Sequence, residues 1–455
     1  MATDHPQRRE STPASLPGEA ARLFDARLGG IIRVDAAAIA DARRIVAPAS
    51  LLLDVDPARV ASPLIVLAAD SPGEVDRHPA ASVARRVCLP DRLLIPGLVN
   101  AHTHLDLTTI GPQPFAGDFS AWLDMVRRSR ASVPAEIAAA VVEGARLSLG
   151  SGVVAVGDVA GAPRGEPTLA PSQALAASGL AGVSFIEFFA IGKGASALGR
   201  IQHLMRSSPR HLGPVRIGIQ PHATGTVGLD GYAWAARMAA DGWPVSSHVA
   251  ETIDERDLIS RAAGPQRDFL ERLGLWDDSL LRELGRGVSP VQHLRDALER
   301  ARFVLAHVND ASDDDIRLLA RTGQSVAYCP RGSEYFGNHT SLGPHRYREM
   351  LAAGVNVCLG TDSIINQHPE GALSIWREMR RLHRRDGAPK LDLMAMATVN
   401  GARALGLNAD RWIFARNHAI CGVGAVVMSP NVCARDPFDC ALESPGEPEL
   451  LFYAN

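Results

Sequence analysis

LIPGLVNAHTHLDLT, residues 94–108, decides how the rest of the chain is read. An apolar run ends in His102-Thr103-His104, and because side chains on a strand leave alternate faces, the two imidazoles share one face. Neutral imidazole is the commonest protein ligand for transition metals, so two of them at the end of a buried strand form half of a candidate metal site. Alone, an H-x-H is more often two polar residues that happen to alternate. Its meaning therefore depends on what lies downstream.

Working outward from that strand, apolar runs of strand length alternate with amphipathic segments of helix length, the signature of βα units and a parallel sheet. The runs cover 94–104, 153–160, 181–190, 215–223, 245–251, 303–309, 325–332 and 355–363. Eight of them predict a (β/α)8 barrel of TIM type over 94–407. Helices are expected between strands over 136–149, 230–240, 313–322 and 346–353, and after the last strand over 369–385 and 391–405. Barrels of this kind gather their chemistry at the C-terminal ends of the strands. These eight runs end in His102 with His104, Asp158, Glu187, His222, His248 with Glu251, His307, Arg331 and Asp362. Reading each as a merely satisfied polar residue requires the same coincidence on every strand.

If His102, His104, His248 and Asp362 converge, three neutral nitrogens and one carboxylate oxygen suit a single divalent ion of zinc type and leave a position open for water. Such an ion brings the pKa of its water toward ~7 and makes hydroxide available at neutral pH. Asp362 would take the water's proton. Glu251, three residues after His248, is placed to shuttle protons to a substrate atom; the alternative makes it a helix N-terminal residue favoured by the dipole. His307 lacks a metal-spaced partner and is read as orienting the nucleophile or stabilising developing charge. A second ion bridged by a carboxylated lysine of the fourth strand is disfavoured, because that strand ends in Gln220-Pro221-His222 and the only lysines are Lys193 and Lys390.

Composition sets the outer limits. A net charge of -3 without blocks of like charge gives no footprint for nucleic acid or a membrane surface, which leaves a small-molecule substrate as the default. Six cysteines without a C-x-x-C pair argue against a zinc knot or a disulfide framework and suit a reducing cytoplasm. Residues 1–22, rich in Pro, Ser and charge, read as a loose leader without the pattern of a signal or transit peptide. No later run has the length to cross a bilayer. Over 23–93, short apolar runs separated by Pro, Gly and Asp predict a small β-rich unit. The tail over 408–455, with its single apolar run GVGAVVM, is placed to complete that unit.

PGLVNAHTHLD, PHATGTV, HVAET, LAHVND, CPRGS, GVNVCLGTDS followed by WREMR, and ATVNGARALGL occur in that order. Together they resemble the amidohydrolase superfamily, in its branch of metal-dependent deaminases and chlorohydrolases. The resemblance implies one zinc or iron on His102, His104, His248 and Asp362, a proton shuttle at Glu251, His307 beside the hydroxide and His222 against the substrate. It also implies a small β-sandwich built from both chain ends, and a homodimer. A narrower likeness, in HTHLDLT with GDFSAWLDMVRRSR and in GVSPVQHL, is to the aminodeoxyfutalosine deaminase group. It would set Phe119 and Trp122 at the mouth of the site against a planar ring; otherwise both anchor the first loop helix in the core.

The chain departs from the family at Thr224-Gly225-Thr226, where many deaminases carry an aromatic, at Gly332-Ser333 in place of a Ser-Asn pair, and in a tail without the glycine-rich hairpin or the A-D-L run. The expected activity is hydrolytic deamination of an aromatic amine such as a nucleobase, nucleoside or related heterocycle. Hydrolysis of another C-N bond or of a C-Cl bond is the alternative. A non-catalytic barrel relative is third, and the presence of all four ligands and Glu251 argues against it.

Overall fold

The computed structural model describes residues 29–59, 62–428 and 436–454, so the leader expected over 1–22 lies outside the described residues. Eight strands carry the site: β1 (Leu98–His104), β2 (Val153–Ala160), β3 (Ala181–Phe188), β4 (Val215–Pro221), β5 (Ser246–Val249), β6 (Val304–His307), β7 (Ser325–Tyr328) and β8 (Asn356–Leu359). Each pairs in parallel with the next from β1 to β4 and again from β5 to β8. Two parallel bridges, Ile219 to Val245 and Ala223 to His248, join β4 to β5. Beyond β8 the chain pairs Asp362 and Ser363 with Thr103 and His104 of β1, so the order of neighbours returns to its start. Such strands are covered on both faces, and β1 and β2 are buried at every position, which is why they read as continuous apolar runs and not as alternating ones.

Helices fill the connections where the sequence carries their start and stop signals. Asp313–Thr322 begins with Ser312 and Asp315 in a reciprocal capping box and stops at Gly323, whose φ of 67° admits the left-handed cap. The expected helices over 136–149, 230–240 and 346–353 form as Pro134–Leu149, Leu229–Ala240 and Tyr347–Ala352.

Three boundaries differ from the sequence reading. The run over 94–104 divides at Gly97, where a Cβ would lie 2.7 Å from Val154 Cγ2. The residues before the break complete strand Arg85–Pro96 of another sheet, and those after it form β1. The helix expected from 369 begins instead at Ile375, because the Ser374 side chain accepts from the Arg377 amide and caps it there. The segment over 391–405 is two helices, Lys390–Ala397 and Val399–Ala404, broken at Thr398 with φ -135° and ψ -93°. There the hydroxyl donates to the Met394 carbonyl, an example of a threonine competing with the helix ladder.

The other sheet has eight strands and draws on both ends of the chain. Gly30–Ala40 pairs in parallel with Arg85–Pro96, which pairs antiparallel with Gly422–Val427, itself joined to Glu449–Tyr453. Its own apolar cluster includes Ile32, Val34, Leu51, Leu53, Val66, Val423 and Phe452. None of the described helices is long and apolar enough to cross a membrane.

Candidate active site

The strand ends of β1, β5 and β6, with the segment after β8, converge. His102, His104 and His248 offer ligand nitrogens within 4.8 Å of one another, and His102, His307 and Asp362 form a second such group. His104 Nε2 and His248 Nε2 are 3.2 Å apart, and Asp362 Oδ1 lies 3.5 Å from His104 Nε2 and 3.9 Å from His102 Nε2. Burial is the largest force on these imidazoles, reinforced by their neighbours: it holds His102, His104 and His307 well below the usual histidine range and His248 down at about 3. Neutral rings present lone pairs.

The hydrogen-bond pattern says where those lone pairs point. His248 Nδ1 lies 2.7 Å from the His222 carbonyl, which can only accept, so Nδ1 carries the hydrogen and Nε2 is bare toward His104. His102 Nε2, buried to 1% exposure, has no hydrogen-bond partner. His104 Nε2 faces the bare His248 nitrogen while the His104 Nδ1 has no partner, and a cation between the two rings would satisfy both. Two nitrogens on one tetrahedral ion at ~2.1 Å would sit roughly 3.4 Å apart, near the His104–His248 spacing of 3.2 Å. The donor set therefore fits one divalent ion.

Around that cluster the backbone is forced. Ala250, His307, Val308 and Asp362 all have positive φ, between 51° and 70°. For residues bearing a Cβ this costs of order 1 kcal/mol each, and such strain persists where the surrounding structure overrides it. Here the overriding groups are visible. Buried Glu255 accepts the amide of Ala250 at 2.9 Å and that of Glu251 at 2.7 Å, and also the Thr224 hydroxyl, fixing the turn that presents Glu251. Asn366 donates to Asp362 Oδ2.

Glu251 Oε1 lies 3.6 Å from His307 Nε2. Burial, with the Asp362 and Glu255 carboxylates beside it, raises Glu251 well above the usual carboxylate range. Burial likewise pushes Asp362 up to about 7, and a cation held by the cluster would favour its ionised form. The two carboxyls are thus driven apart, Glu251 toward holding a proton and Asp362 toward accepting one.

These groups form the floor of a cavity of about 620 Å³. Its walls are apolar, with Leu107, Val126, Phe189, Ile191, Phe269 and Leu270. Phe119 and Trp122 line it as well, stacked on each other with centroids 5.6 Å apart. His222 also faces it, its Nδ1 2.7 Å from the Thr226 hydroxyl. Five arginines, Arg127, Arg128, Arg130, Arg164 and Arg200, also border it. Arg127 and Arg200 have acidic partners in Asp124 and Glu166, whereas Arg164 bonds only the Ser132 hydroxyl and Arg128 has no carboxylate partner among the described residues.

Not every strand-end group faces the reaction. Arg331 pairs with buried Glu378 at 2.6 Å and braces the helix Ile375–Asp386. Asp158 accepts the Leu105 amide at 3.0 Å, and burial raises it to about 8. Glu187 does line the cavity, joined to Arg130 at 2.9 Å. Arg130, Glu255 and Asn366 escaped the sequence reading. Arg130 ends the quoted GDFSAWLDMVRRSR segment, and Glu255 follows Glu251 by four residues at the start of a helix, so both lay beside motifs already recognised.

A parallel α/β fold with a buried three-histidine, one-carboxylate cluster and a glutamate of raised pKa at the strand ends defines a metal-dependent hydrolase. The sequence model of the amidohydrolase family matches residues 93–410, and the chain belongs to that family. It is 31% identical to the aminodeoxyfutalosine deaminase of Deinococcus radiodurans, over 66% of this chain and 70% of the relative. Among solved structures it is similar to the aminofutalosine deaminase of Helicobacter pylori in complex with methylthio-coformycin, with TM-score 0.71 and 18% identity over 93% of this chain and 98% of that one. It is also similar to the zinc-complexed atrazine chlorohydrolase of Arthrobacter aurescens, with TM-score 0.67 and 19% identity over 92% of each chain. As a member of this family the protein acts as a hydrolase on carbon-nitrogen bonds other than peptide bonds.

Proposed function

We propose that the protein is a hydrolytic deaminase of an aromatic heterocyclic amine that carries an anionic group at the end remote from the amine. The observation that carries this reading is Glu251, its pKa raised by burial and neighbouring carboxylates, beside the His102, His104, His248 and Asp362 cluster at an apolar-walled cavity. Zinc suits the three imidazoles and one carboxylate, and is the ion complexed in the chlorohydrolase relative. When bound, it acidifies a water and so supplies the nucleophile at neutral pH.

This chain's own residues then do the rest. Asp362 accepts the proton of the water that adds to the amine-bearing carbon, and Glu251 gives its proton to the adjacent ring nitrogen. His307, whose Nε2 lies 3.6 Å from Glu251, orients the incoming oxygen. On collapse of the tetrahedral adduct, Glu251 regains a proton from the new hydroxyl and Asp362 returns one to the departing amine. Water and amine become carbonyl and ammonia. Phe119 and Trp122 stack on the ring, and His222 touches it from the other side. Arg128 and Arg164, lacking carboxylates, are the anchors for the remote anion, since an uncompensated guanidinium binds a carboxylate bidentately.

The same reading treats the sheet built from both chain ends as a small domain over 23–93 and 408–455, completing a β-sandwich beside the barrel over 94–407. Its separate apolar cluster supports this. The functional test is ammonia release from zinc-loaded protein over a panel of adenine nucleosides with neutral or carboxylate-bearing 5′ substituents. Turnover of the carboxylate-bearing members supports the proposal. Chloride or ring-opened product from other heterocycles, with no ammonia from any amine, overturns it.

A further inference from the structure

His345 stands apart from the metal cluster, yet it touches an active-site strand end. Its Nε2 lies 2.9 Å from the carbonyl oxygen of His307. A carbonyl accepts only, so Nε2 carries the hydrogen; Nδ1 is bare, buried and without a partner. Burial lowers the ring to about 4, which keeps it neutral at working pH. Its orientation is fixed from the side: the ring stacks on Tyr328, the last residue of β7, with centroids 3.7 Å apart and planes 18° off parallel. Tyr328 is itself held, its hydroxyl accepting from Arg385 Nη2 at 3.1 Å and its ring stacking with Tyr347.

The bond lands where the backbone is most forced. His307 has φ 70° and Val308 φ 51°, consecutive left-handed residues, neither of them glycine. That turn is what swings the His307 ring inward, 5.3 Å from the His102 ring and 5.4 Å from the His248 ring. The N–H end of the same peptide is held by the Val249 carbonyl at 2.9 Å, so His345 fixes its carbonyl end: without a donor there the peptide tilts about the remaining bond, and the ring moves with it.

We propose that His345 is a positioning residue for the hydrolysis: through Nε2 it holds the left-handed turn that aims His307 at the reacting centre. The inference rests on the active-site role given to His307 above. The competing account makes His345 only an aromatic filler for the loop after β7.

His345→Phe separates the two, because it keeps a ring to stack on Tyr328 and removes the donor; His345→Gln restores an N–H of comparable reach. A displacement near 1 Å of a catalytic group lowers turnover by roughly 100-fold, so His345→Phe is expected to lower kcat by about 10- to 100-fold with KM within about threefold. Metal content should be unchanged. His345→Gln should recover kcat to within about fivefold of wild type, and a crystal structure of His345→Phe should show the 307–308 peptide rotated or the His307 ring displaced by more than about 0.5 Å. The inference is overturned if His345→Phe keeps kcat within about twofold, if Gln performs no better than Phe, or if the His307 turn is unmoved. His307→Gln, measured in parallel, identifies which claim failed. A normal kcat there removes the active-site role of His307, whereas a collapse there with normal His345→Phe removes this inference alone. Should no amine of the panel turn over, the crystallographic comparison still decides.

Discussion

Replacing Arg130 by Met asks whether the charged wall of the cavity also holds the fold. The guanidinium lies between two acids, with Nη1 2.9 Å from Glu187 Oε2 and Nε 3.1 Å from Asp106 Oδ2. Asp106 and Glu187 are 2% and 1% exposed. Removing one partner of a buried ion pair costs about 3–5 kcal/mol, because the remaining charge is stranded. Asp106 can relieve part of this by taking a proton, since burial already raises it to about 6. The expected loss is therefore near the lower end, about 3 kcal/mol at pH 7.5.

The sign of the pH dependence follows from Glu187. Burial pushes its pKa up, but Arg130 and His222 more than offset that, so it lies below the ordinary value. In the parent protein its carboxylate stabilises the fold above the unfolded pKa and loses that contribution as pH falls through the folded one. Without Arg130 the largest of the offsetting contributions is gone, and burial outweighs what remains from His222, His248 and the Ala162 amide, so the folded pKa rises above the unfolded one. The variant is then penalised most at high pH, and the penalty fades as pH falls. The gap between the two proteins should shrink from pH 7.5 to pH 5. Urea unfolding of metal-free protein measures it, as the shift in midpoint multiplied by the common slope. Adding Asp106→Asn and Glu187→Gln to Arg130→Met should return most of the loss, because no buried charge is then left alone. A loss below about 1 kcal/mol at pH 7.5, or a gap of equal size at both pH values, refutes the reasoning.

Other outcomes test the site directly. His248→Ala should purify with less than about a fifth of the wild-type metal by elemental analysis, since catalytic sites hold zinc through three protein ligands or so; an undiminished content would place the ion elsewhere. Glu251→Gln should keep its metal and lose at least about 100-fold in kcat, and a loss under about tenfold would remove it as the proton carrier. Arg128→Ala with Arg164→Ala should raise KM for a carboxylate-bearing amine by about tenfold or more while leaving its neutral analogue unchanged, and equal effects on both would show that these arginines do not read the anion.

What the sequence revealed and what it hid have a common physical cause. A strand end is legible because period-two geometry and a run of buried apolar residues fix where the next side chain must lie. That is how His102, His104, His222, His248, His307 and Asp362 could be placed on one rim before any coordinates. Residues that meet the rim from outside the ladder carry no such mark: Arg130 arrives from a helix end, Asn366 from the segment after Asp362, and His345 from the loop after β7. Backbone strain was hidden for the same reason. Where the chain needs a left-handed residue and uses glycine, as at Gly323, the turn shows in the letters. At Ala250, His307, Val308 and Asp362 it does not, because the conformation is imposed by partners distant in sequence and not by local preference.

That imposed strain bears on how the site works. A histidine or aspartate at an ordinary strand end projects along the ladder, above or below the sheet. Turning His307, the last residue of β6, and Asp362, three residues beyond β8, into the left-handed region redirects the side chain across the mouth of the ring, toward groups delivered by other strands. Glycine would reach that conformation more easily but has no imidazole or carboxylate to offer, so the chain takes the steric cost and counters it from outside with Glu255, Asn366 and His345, each hydrogen-bonded to a strained residue. The same argument explains why these supports are polar: an apolar brace could fill the space, but only a directed hydrogen bond can specify the angle of a peptide or carboxylate. The precision of the metal cluster thus depends on residues that never reach the metal.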